Sequence, residues 1–353
     1  MHKKYGRTPW RTLIQPAINL CRSGYKISKT VEFYMNCDPG IHESTSLLEV
    51  FANPKTGKLL KTGDRVKRVK LAETLEIIAE EGADSMYTAN GKIAKRLVQE
   101  IKELGGILTM EDLTGFETDW QAPVKTKLRG GYTLNSVPLP ASGPILSLIL
   151  NILNDYEPSV SVPYLHKMAE SFKYAYAKRT NLGDQFYDKK FLDEITSMNY
   201  ADHIRELISK DNHTFNDFKH YGAEYTLTED HGTGHVSVLS KNGDAVAATG
   251  SLNDAFGSQI HSRSTGIILN NQMDDFSTPG ITNIYGMKPS PANYIEPRKR
   301  PMSSMCPSIV TKNGDAIFVV GAAGGSKITT IIAYVKSEEK HFIMKNRNQL
   351  NPF

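Results

Sequence analysis

The sequence predicts an α+β protein in which antiparallel hairpins lie beneath flanking helices. Two observations carry that expectation. Residues 237–246 read SVLSKNGDAV and residues 308–317 read SIVTKNGDAI, each an alternating strand, a Lys-Asn-Gly-Asp turn and a second strand. Asn-Gly favours the type I′ turn, whose two central residues need positive φ, so each segment is expected to close a hairpin. Ahead of them, residues 1–115 and 144–220 carry apolar residues at helical rather than strand spacing.

The helical regions begin with a turn at Arg7-Thr8-Pro9-Trp10, followed by an amphipathic stripe of Leu13, Ile14, Ala17, Ile18 and Cys21. Residues 1–31 hold no acid and seven Lys or Arg, a composition shared with transit peptides, but the stripe reads as a surface helix. A second helix carries Leu75, Ile77, Ile78 and Ala79 and stops at Gly82. A third is expected over 90–104, with Ile93, Leu97, Val98, Ile101 and Leu104 on one face and Gly105-Gly106 ending it. The period then changes. Val124, Thr126 and Leu128, then Tyr132, Leu134 and Ser136, flank Arg129-Gly130-Gly131 as a further hairpin. The run PILSLILNIL at 144–153 is too short to span a bilayer and reads as a buried helix.

The chain has 353 residues, 39% hydrophobic and 23% charged, which is ordinary globular composition. Its net charge, 42 − 38 = +4, is too small for a nucleic-acid footprint, so no nucleic-acid partner is expected. No window of 18 apolar residues occurs. Cys21, Cys37 and Cys306 cannot form a disulfide scaffold; Cys21 and Cys37 could pair in an oxidising compartment, but their spacing decides little.

Several common catalytic signatures are missing. There is no G-x-x-x-x-G-K-[ST], H-E-x-x-H or G-x-S-x-G, and Gly232-Thr233-Gly234 lacks the last glycine of a dinucleotide fingerprint. His231 and His235 have the i, i+4 spacing of a helical metal pair, yet 234–239 alternates like a strand, which favours solvent or turn histidines and no metal. What remains is a series of small polar residues beside glycines: HGTGH at 231–235, GSLN at 250–253, NNQMDDF at 270–276, Ser303-Ser304, and GAAGGS at 321–326. Any one of these suits a turn. Together, along successive sheet edges, they read as the lining of a pocket for a small zwitterion.

The series GTGHVSV, SLN, NNQMDDFSTPG, KRPMSSM and VVGAAGGSKITT, in this order and spacing, resembles the γ-glutamyltransferases (γ-glutamyl transpeptidases, glutathione hydrolases) of the N-terminal nucleophile hydrolase superfamily. RTPWRTLIQPAINLCRSGY, ILTMEDLTGFE and LPASGPILSLILNIL resemble the family's large-subunit segments, so the likeness covers nearly the whole chain. It implies a four-layer αββα sandwich, here incomplete at both ends. It further implies autocleavage between Gly232 and Thr233, giving a partial large subunit, 1–232, and a partial small subunit, 233–353, that stay together as a heterodimer of one precursor. Thr233 is then the nucleophile, and its freed α-amine, with a pKa of roughly 8, suits a general base.

Other roles follow by match. Gly324 and Gly325 resemble the family's oxyanion hole, and Ser251 stands at the position of a threonine that hydrogen-bonds the nucleophile. Asn253, Gln272 and Asp275 resemble the group that holds the substrate α-amine, and Ser303 and Ser304 the pair that holds its α-carboxylate. Some relatives have glutamate where Gln272 stands. The resemblance implies glutathione and other γ-glutamyl compounds as substrates, amino acids or dipeptides as acceptors, and no cofactor. It also implies the extracellular face of the plasma membrane; the sequence carries neither signal peptide nor anchor, and the sequon at Asn212 is compatible with that location.

The chain begins inside the family's large subunit, beyond the region that supplies an arginine clamp for the substrate carboxylate, and from about 335 onward it no longer resembles the family. Two alternatives therefore stand beside the active transferase. One is a truncated, inactive homologue acting, if at all, as an interaction protein. The other is a different autocleaving amidase, such as a β-lactam acylase, which NNQMDDF and KRPMSSM match less well.

Overall fold

The computed structural model describes residues 1–184, 189–211, 213–227, 232–283 and 286–335. The chain folds as two compact units, one of residues 1–120 with 255–271, the other of 121–254 with everything from 272 onward. The bond between Gly232 and Thr233 therefore lies inside the second unit. The expected subunits, 1–232 and 233–353, describe where the chain would be cut and not how it packs.

The first unit is helical. Helix α1 (Trp10–Ser23), α2 (Lys29–Cys37), α3 (Thr45–Phe51), α4 (Val69–Glu81) and α5 (Lys92–Glu103) are its main elements. The α1 stripe is narrower than expected: Ile14, Ile18 and Cys21 pack with Ala72, Leu75 and Ala79 of α4, whereas Leu13 and Ala17 are exposed. Trp10 fixes the pair by donating its Nε1–H to the Ile78 carbonyl at 2.7 Å. Gly82 ends α4 at φ +70°, its N–H reaching Ile78 O. Helix α5 stops one residue short of Leu104, which is exposed; Gly105, at φ +84°, turns the chain so that the Gly106 N–H reaches Ile101 O at 2.8 Å. A second small core gathers Ile27, Met35, Ile41, Leu47, Phe51 and Val66. Residues 262–264 of the returning segment are tied to Glu100 through the Arg263 N–H and the Ser262 and Ser264 hydroxyls. Cys21, buried, and Cys37, exposed, are both free thiols, as is Cys306.

The second unit holds the sheets. Strands β1 (Val124–Leu128) and β2 (Tyr132–Ser136) form the hairpin read around Arg129-Gly130-Gly131. Helices α6 (Gly143–Leu153), α7 (Val162–Arg179) and α8 (Met198–Lys210) follow. Next come β3 (Gly232–Leu239), β4 (Ala245–Asn253), β5 (Ser308–Lys312) and β6 (Asp315–Val320). The antiparallel order is β6-β5-β2-β1 in one four-stranded sheet, while among the described residues β3 and β4 pair only with each other. Every residue of α6 is buried, and Ile145, Leu148, Ile149 and Ile152 share one core with Leu134, Val310 and Val320 of the sheet. Each such side chain contributes ~1.5–3 kcal/mol by leaving water. The β3–β4 ribbon lies against β5 and β6 without joining their ladder, so helices, a sheet and a second β layer succeed one another. Among the described residues no helix is long and apolar enough to cross a membrane.

The two Lys-Asn-Gly-Asp turns differ. At the second, Lys312 pairs with Asp315 across Asn313 (φ +53°) and Gly314 (φ +93°), the tight turn the sequence predicts. The first departs from that prediction. Its last pair is Leu239 with Ala245, leaving a five-residue loop in which Gly243 has positive φ and Asn242 does not. The Ser240 hydroxyl accepts from the N–H groups of Asn242 and Asp244, both at 3.2 Å, and so organises the loop locally. Its counterpart Thr311 is held in register by β2, opposite Thr133 and accepting from Asn135 Nδ2 at 3.3 Å. Among the described residues β3 has no third strand to do the same, and the side chain turns onto its own loop.

Candidate active site

Strand β3 opens with Gly232 and Thr233. Gly232 sits opposite Asn253, so close that a Cβ would come within 2.3 Å of the Asn253 carbonyl oxygen. Only glycine fits there. The next registered pair is Gly234 with Gly250, so Thr233 alone on β3 faces both Ser251 and Leu252 of β4 and the ladder bulges. Such a bulge re-aims side chains. Here it turns two hydroxyls onto one carbonyl: Thr233 Oγ1 donates to Gly232 O at 2.7 Å, and Ser251 Oγ donates to the same oxygen. Ser251 is itself held by the Asn253 N–H at 2.8 Å. Ser251, expected beside the Thr233 hydroxyl, meets it here at the Gly232 carbonyl oxygen. With the peptide bond intact, the carbonyl lies where both hydroxyls reach.

Chemically, this places a nucleophilic oxygen beside the carbonyl it would attack, with a second donor on the oxygen that would take negative charge. His235, next on the same face of β3, contacts Thr249 Oγ1 through Nδ1 at 2.8 Å and Ser237 Oγ through Nε2 at 2.9 Å. Burial lowers its pKa below the ordinary histidine value. The ring leaves no room for a side chain at Gly321, where a Cβ would come within 2.1 Å of it. His231 lies outside the described residues, as does Asn212. Among the described residues no group of three or more His, Cys, Asp or Glu is placed to hold a metal.

Beyond β6 the chain passes Gly324, at φ +126°, and enters a 3-10 turn at Gly325, at φ +57°. Open space lies where a Gly324 side chain would project. Tyr176 of α7 secures this turn by donating its hydroxyl to the Ser326 carbonyl. The amine-binding candidates gather at the end of β4 that faces Gly232. Asn253 is buried at φ +74°, and the 3-10 turn Gln272–Asp275 packs against β4. Gln272 Nε2 donates to the carboxylate of Asp275, which is 3% exposed.

Sequence reasoning missed the residues that join these pieces. Asn293 donates Nδ2 to Asp275 O at 2.7 Å and accepts the Met302 N–H at 2.9 Å, linking the amine group to the segment carrying Ser303 and Ser304. Ser142 donates its hydroxyl to Ser303 O at 2.7 Å, and the Ser303 N–H reaches Pro140 O at 2.9 Å. The Ser303 hydroxyl accepts the Met305 N–H at 3.2 Å, while Ser304 Oγ accepts from Arg179 Nη2 at 2.9 Å. For Arg179 a signal existed: it falls on the buried stripe of α7, with Tyr164, Met168, Ser171 and Ala175.

Comparison with known proteins bears on this arrangement. The gamma-glutamyltranspeptidase family model matches residues 1–345. The chain is 44% identical to Scoloptoxin SSD14 of Scolopendra dehaani, over 94% of this chain and 59% of that protein. It is 41% identical to Glutathione hydrolase proenzyme 1 of Schizosaccharomyces pombe (94% and 53%) and 38% identical to the Glutathione hydrolase proenzyme of Escherichia coli (93% and 57%). The chain thus spans little more than half the length of these curated relatives. Among solved structures, cephalosporin acylase from Bacillus halodurans superposes with a TM-score of 0.77 at 23% identity, over 97% of this chain and 61% of that one. Gamma-glutamyltranspeptidase from Helicobacter pylori gives 0.56 at 30% identity, over 62% and 63%. The fold is the layered αββα type of the N-terminal nucleophile hydrolases.

Proposed function

The chain belongs to the gamma-glutamyltranspeptidase family, and from that membership we propose that it cuts itself between Gly232 and Thr233 and then hydrolyses or transfers γ-glutamyl groups. The observation that carries this reading is the convergence of the Thr233 and Ser251 hydroxyls on the Gly232 carbonyl.

In the first reaction, Thr233 Oγ1 attacks the Gly232 carbonyl carbon. Ser251 donates to the developing oxyanion, and the Thr233 hydroxyl proton passes to the departing amide nitrogen. The resulting ester is hydrolysed by water, leaving a Gly232 carboxylate and a free Thr233 α-amine. That amine then serves as general base. It removes the Oγ1 proton as the oxygen attacks the γ-carbonyl of glutathione or a related conjugate, and the proton is delivered to the leaving amine. The N–H groups of Gly324 and Gly325 receive the tetrahedral oxyanion; losing such a donor costs ~10²–10³ in rate. Asp275, with Asn253 and Gln272, holds the substrate α-ammonium, and Ser303 and Ser304 hold the α-carboxylate. Water completes hydrolysis of the γ-glutamyl-threonine ester, and the amine of an amino acid or dipeptide completes transfer. Fragments 1–232 and 233–353 stay associated, because the cut falls inside one compact unit. By family likeness, the setting is the extracellular face of the plasma membrane.

The test is turnover of a γ-glutamyl anilide and of glutathione by the purified chain. The reading predicts release of the aniline and of glutamate, loss of both in Thr233→Ala, and no action on a β-lactam side-chain amide. Turnover of the β-lactam amide alone would replace it with the acylase reading.

A further inference from the structure

We propose that Arg179 is a positioning residue that makes the Ser303–Ser304 segment a receptor for a carboxylate. This rests on the reading of those serines as holders of the substrate α-carboxylate and extends it to a residue outside the site predicted from sequence.

Arg179 is the last residue of α7 and is 5% exposed. A guanidinium keeps its positive charge throughout the physiological range. Its contacts are nonetheless neutral: Ser142 Oγ at 3.3 Å from Nε, Ser304 Oγ at 2.9 Å from Nη2, and the face of the Tyr176 ring at 6.0 Å. Among the described residues no carboxylate forms an ion pair with it. Arg205, also buried in this unit, is paired with Asp155 and Asp202. A buried charge left without a counter-charge is costly, and an anion arriving beside it removes that cost.

The position of the two serine contacts shows where such an anion belongs. Ser304 Oγ accepts from the guanidinium, which polarises the hydroxyl and strengthens it as a donor through its own proton. Ser142, anchored by Arg179 Nε, directs its proton to Ser303 O and fixes the backbone of the preceding serine. One cation thus braces both members of the pair, one through its side chain and one through its main chain. Thr329 adds a third tie by donating to Ser304 O at 3.1 Å. Arg179 therefore acts on a carboxylate at this segment through Ser304.

The experiment compares two anilides that differ by one group: γ-glutamyl p-nitroanilide and 4-aminobutyryl p-nitroanilide, which lacks the α-carboxylate. In Arg179→Lys, KM for the γ-glutamyl substrate should rise ~10–100-fold with kcat within a few-fold, as expected for a lost hydrogen bond to a charged group. The analogue should be turned over as by the unaltered chain. Arg179→Gln should lose more on the first substrate and still spare the second. Equal loss on both substrates, or loss on neither, overturns the proposal. If Arg179→Lys does not fold, Ser142→Ala replaces it, with a smaller rise in KM confined to the γ-glutamyl substrate; an unchanged KM there overturns the proposal equally. An unaltered chain that does not prefer the α-carboxylate, or turns over neither substrate, removes the γ-glutamyl reading itself and the role of Arg179 with it.

Discussion

Two hairpins of the second unit carry the same Lys-Asn-Gly-Asp sequence and meet opposite fates. The β5–β6 hairpin is sewn into a four-stranded sheet, with Val310 and Val320 in the main core and a two-residue turn. Among the described residues the β3–β4 hairpin pairs only with itself, turns through a wider loop, and leaves Val236, Val238 and Leu252 exposed. Yet the second carries the candidate chemistry. Its bulge, its glycine against the opposite carbonyl and its inward hydroxyls are features that a regular ladder would erase. Sheet context decides the backbone of one hairpin, whereas close packing at one end decides that of the other.

The contrast is broken most severely at the chemical end. Gly232→Ala would drive a Cβ into the Asn253 carbonyl and displace the bond proposed to be cut from both hydroxyls. Processing should fall by ~10²-fold or more, read as the rate at which fragments appear, since a small misplacement of reacting groups is that costly. A chain that processes at the normal rate would show that the close approach is not needed. For folding, the order reverses. Val310→Ala, in the core beneath the helices, should cost about 2–3 kcal/mol in denaturant unfolding, whereas Val238→Ala on the exposed ribbon should cost less than about 0.5. Equal costs would mean that the ribbon's outer face is covered in solution.

The turns give a smaller difference. Asn313→Ala places a Cβ residue with no local hydrogen-bonding group at φ +53° and should cost ~1 kcal/mol, while Asn242→Ala should be near neutral. Smallest is a pH effect from His235. Burial holds its folded pKa below the unfolded value of 6.5, so between the two values the unfolded chain binds the extra proton. The stability it contributes is complete above the unfolded value and is lost as pH falls through the folded one. In denaturant titrations His235→Gln should lose less stability than the unaltered chain between about pH 7.5 and 5.5. Parallel losses would assign the acid sensitivity elsewhere.

Legibility followed the range of the forces. Helix α6, apolar over 144–153 except for Ser147 and Asn151, and the stop at Gly82 were readable because period and φ are local properties. The Asn313-Gly314 turn was readable for the same reason. The loop at 240–244 was not, because what differs is whether a strand such as β2, distant in sequence, lies beside the hydroxyl residue before the turn. Leu13 and Leu104 were apolar at helical spacing yet are exposed among the described residues. Thr233, Ser251 and the glycine pair were found through family resemblance, and composition alone would have left them as turn residues. Arg179, Ser142 and Asn293 work by reaching elements more than a hundred, or nearly twenty, residues away; the helical stripe announces the burial of Arg179, and no local pattern announces what any of the three touches.

The central claim is that the end of β3 builds its own nucleophile. Intact mass with N-terminal sequencing of the purified chain tests it directly. The account predicts two fragments, 1–232 and 233–353, with a new N-terminus at Thr233, and a single uncut species for Thr233→Ala. An uncut chain after prolonged incubation in native buffer, or a cut at any other bond, would contradict it.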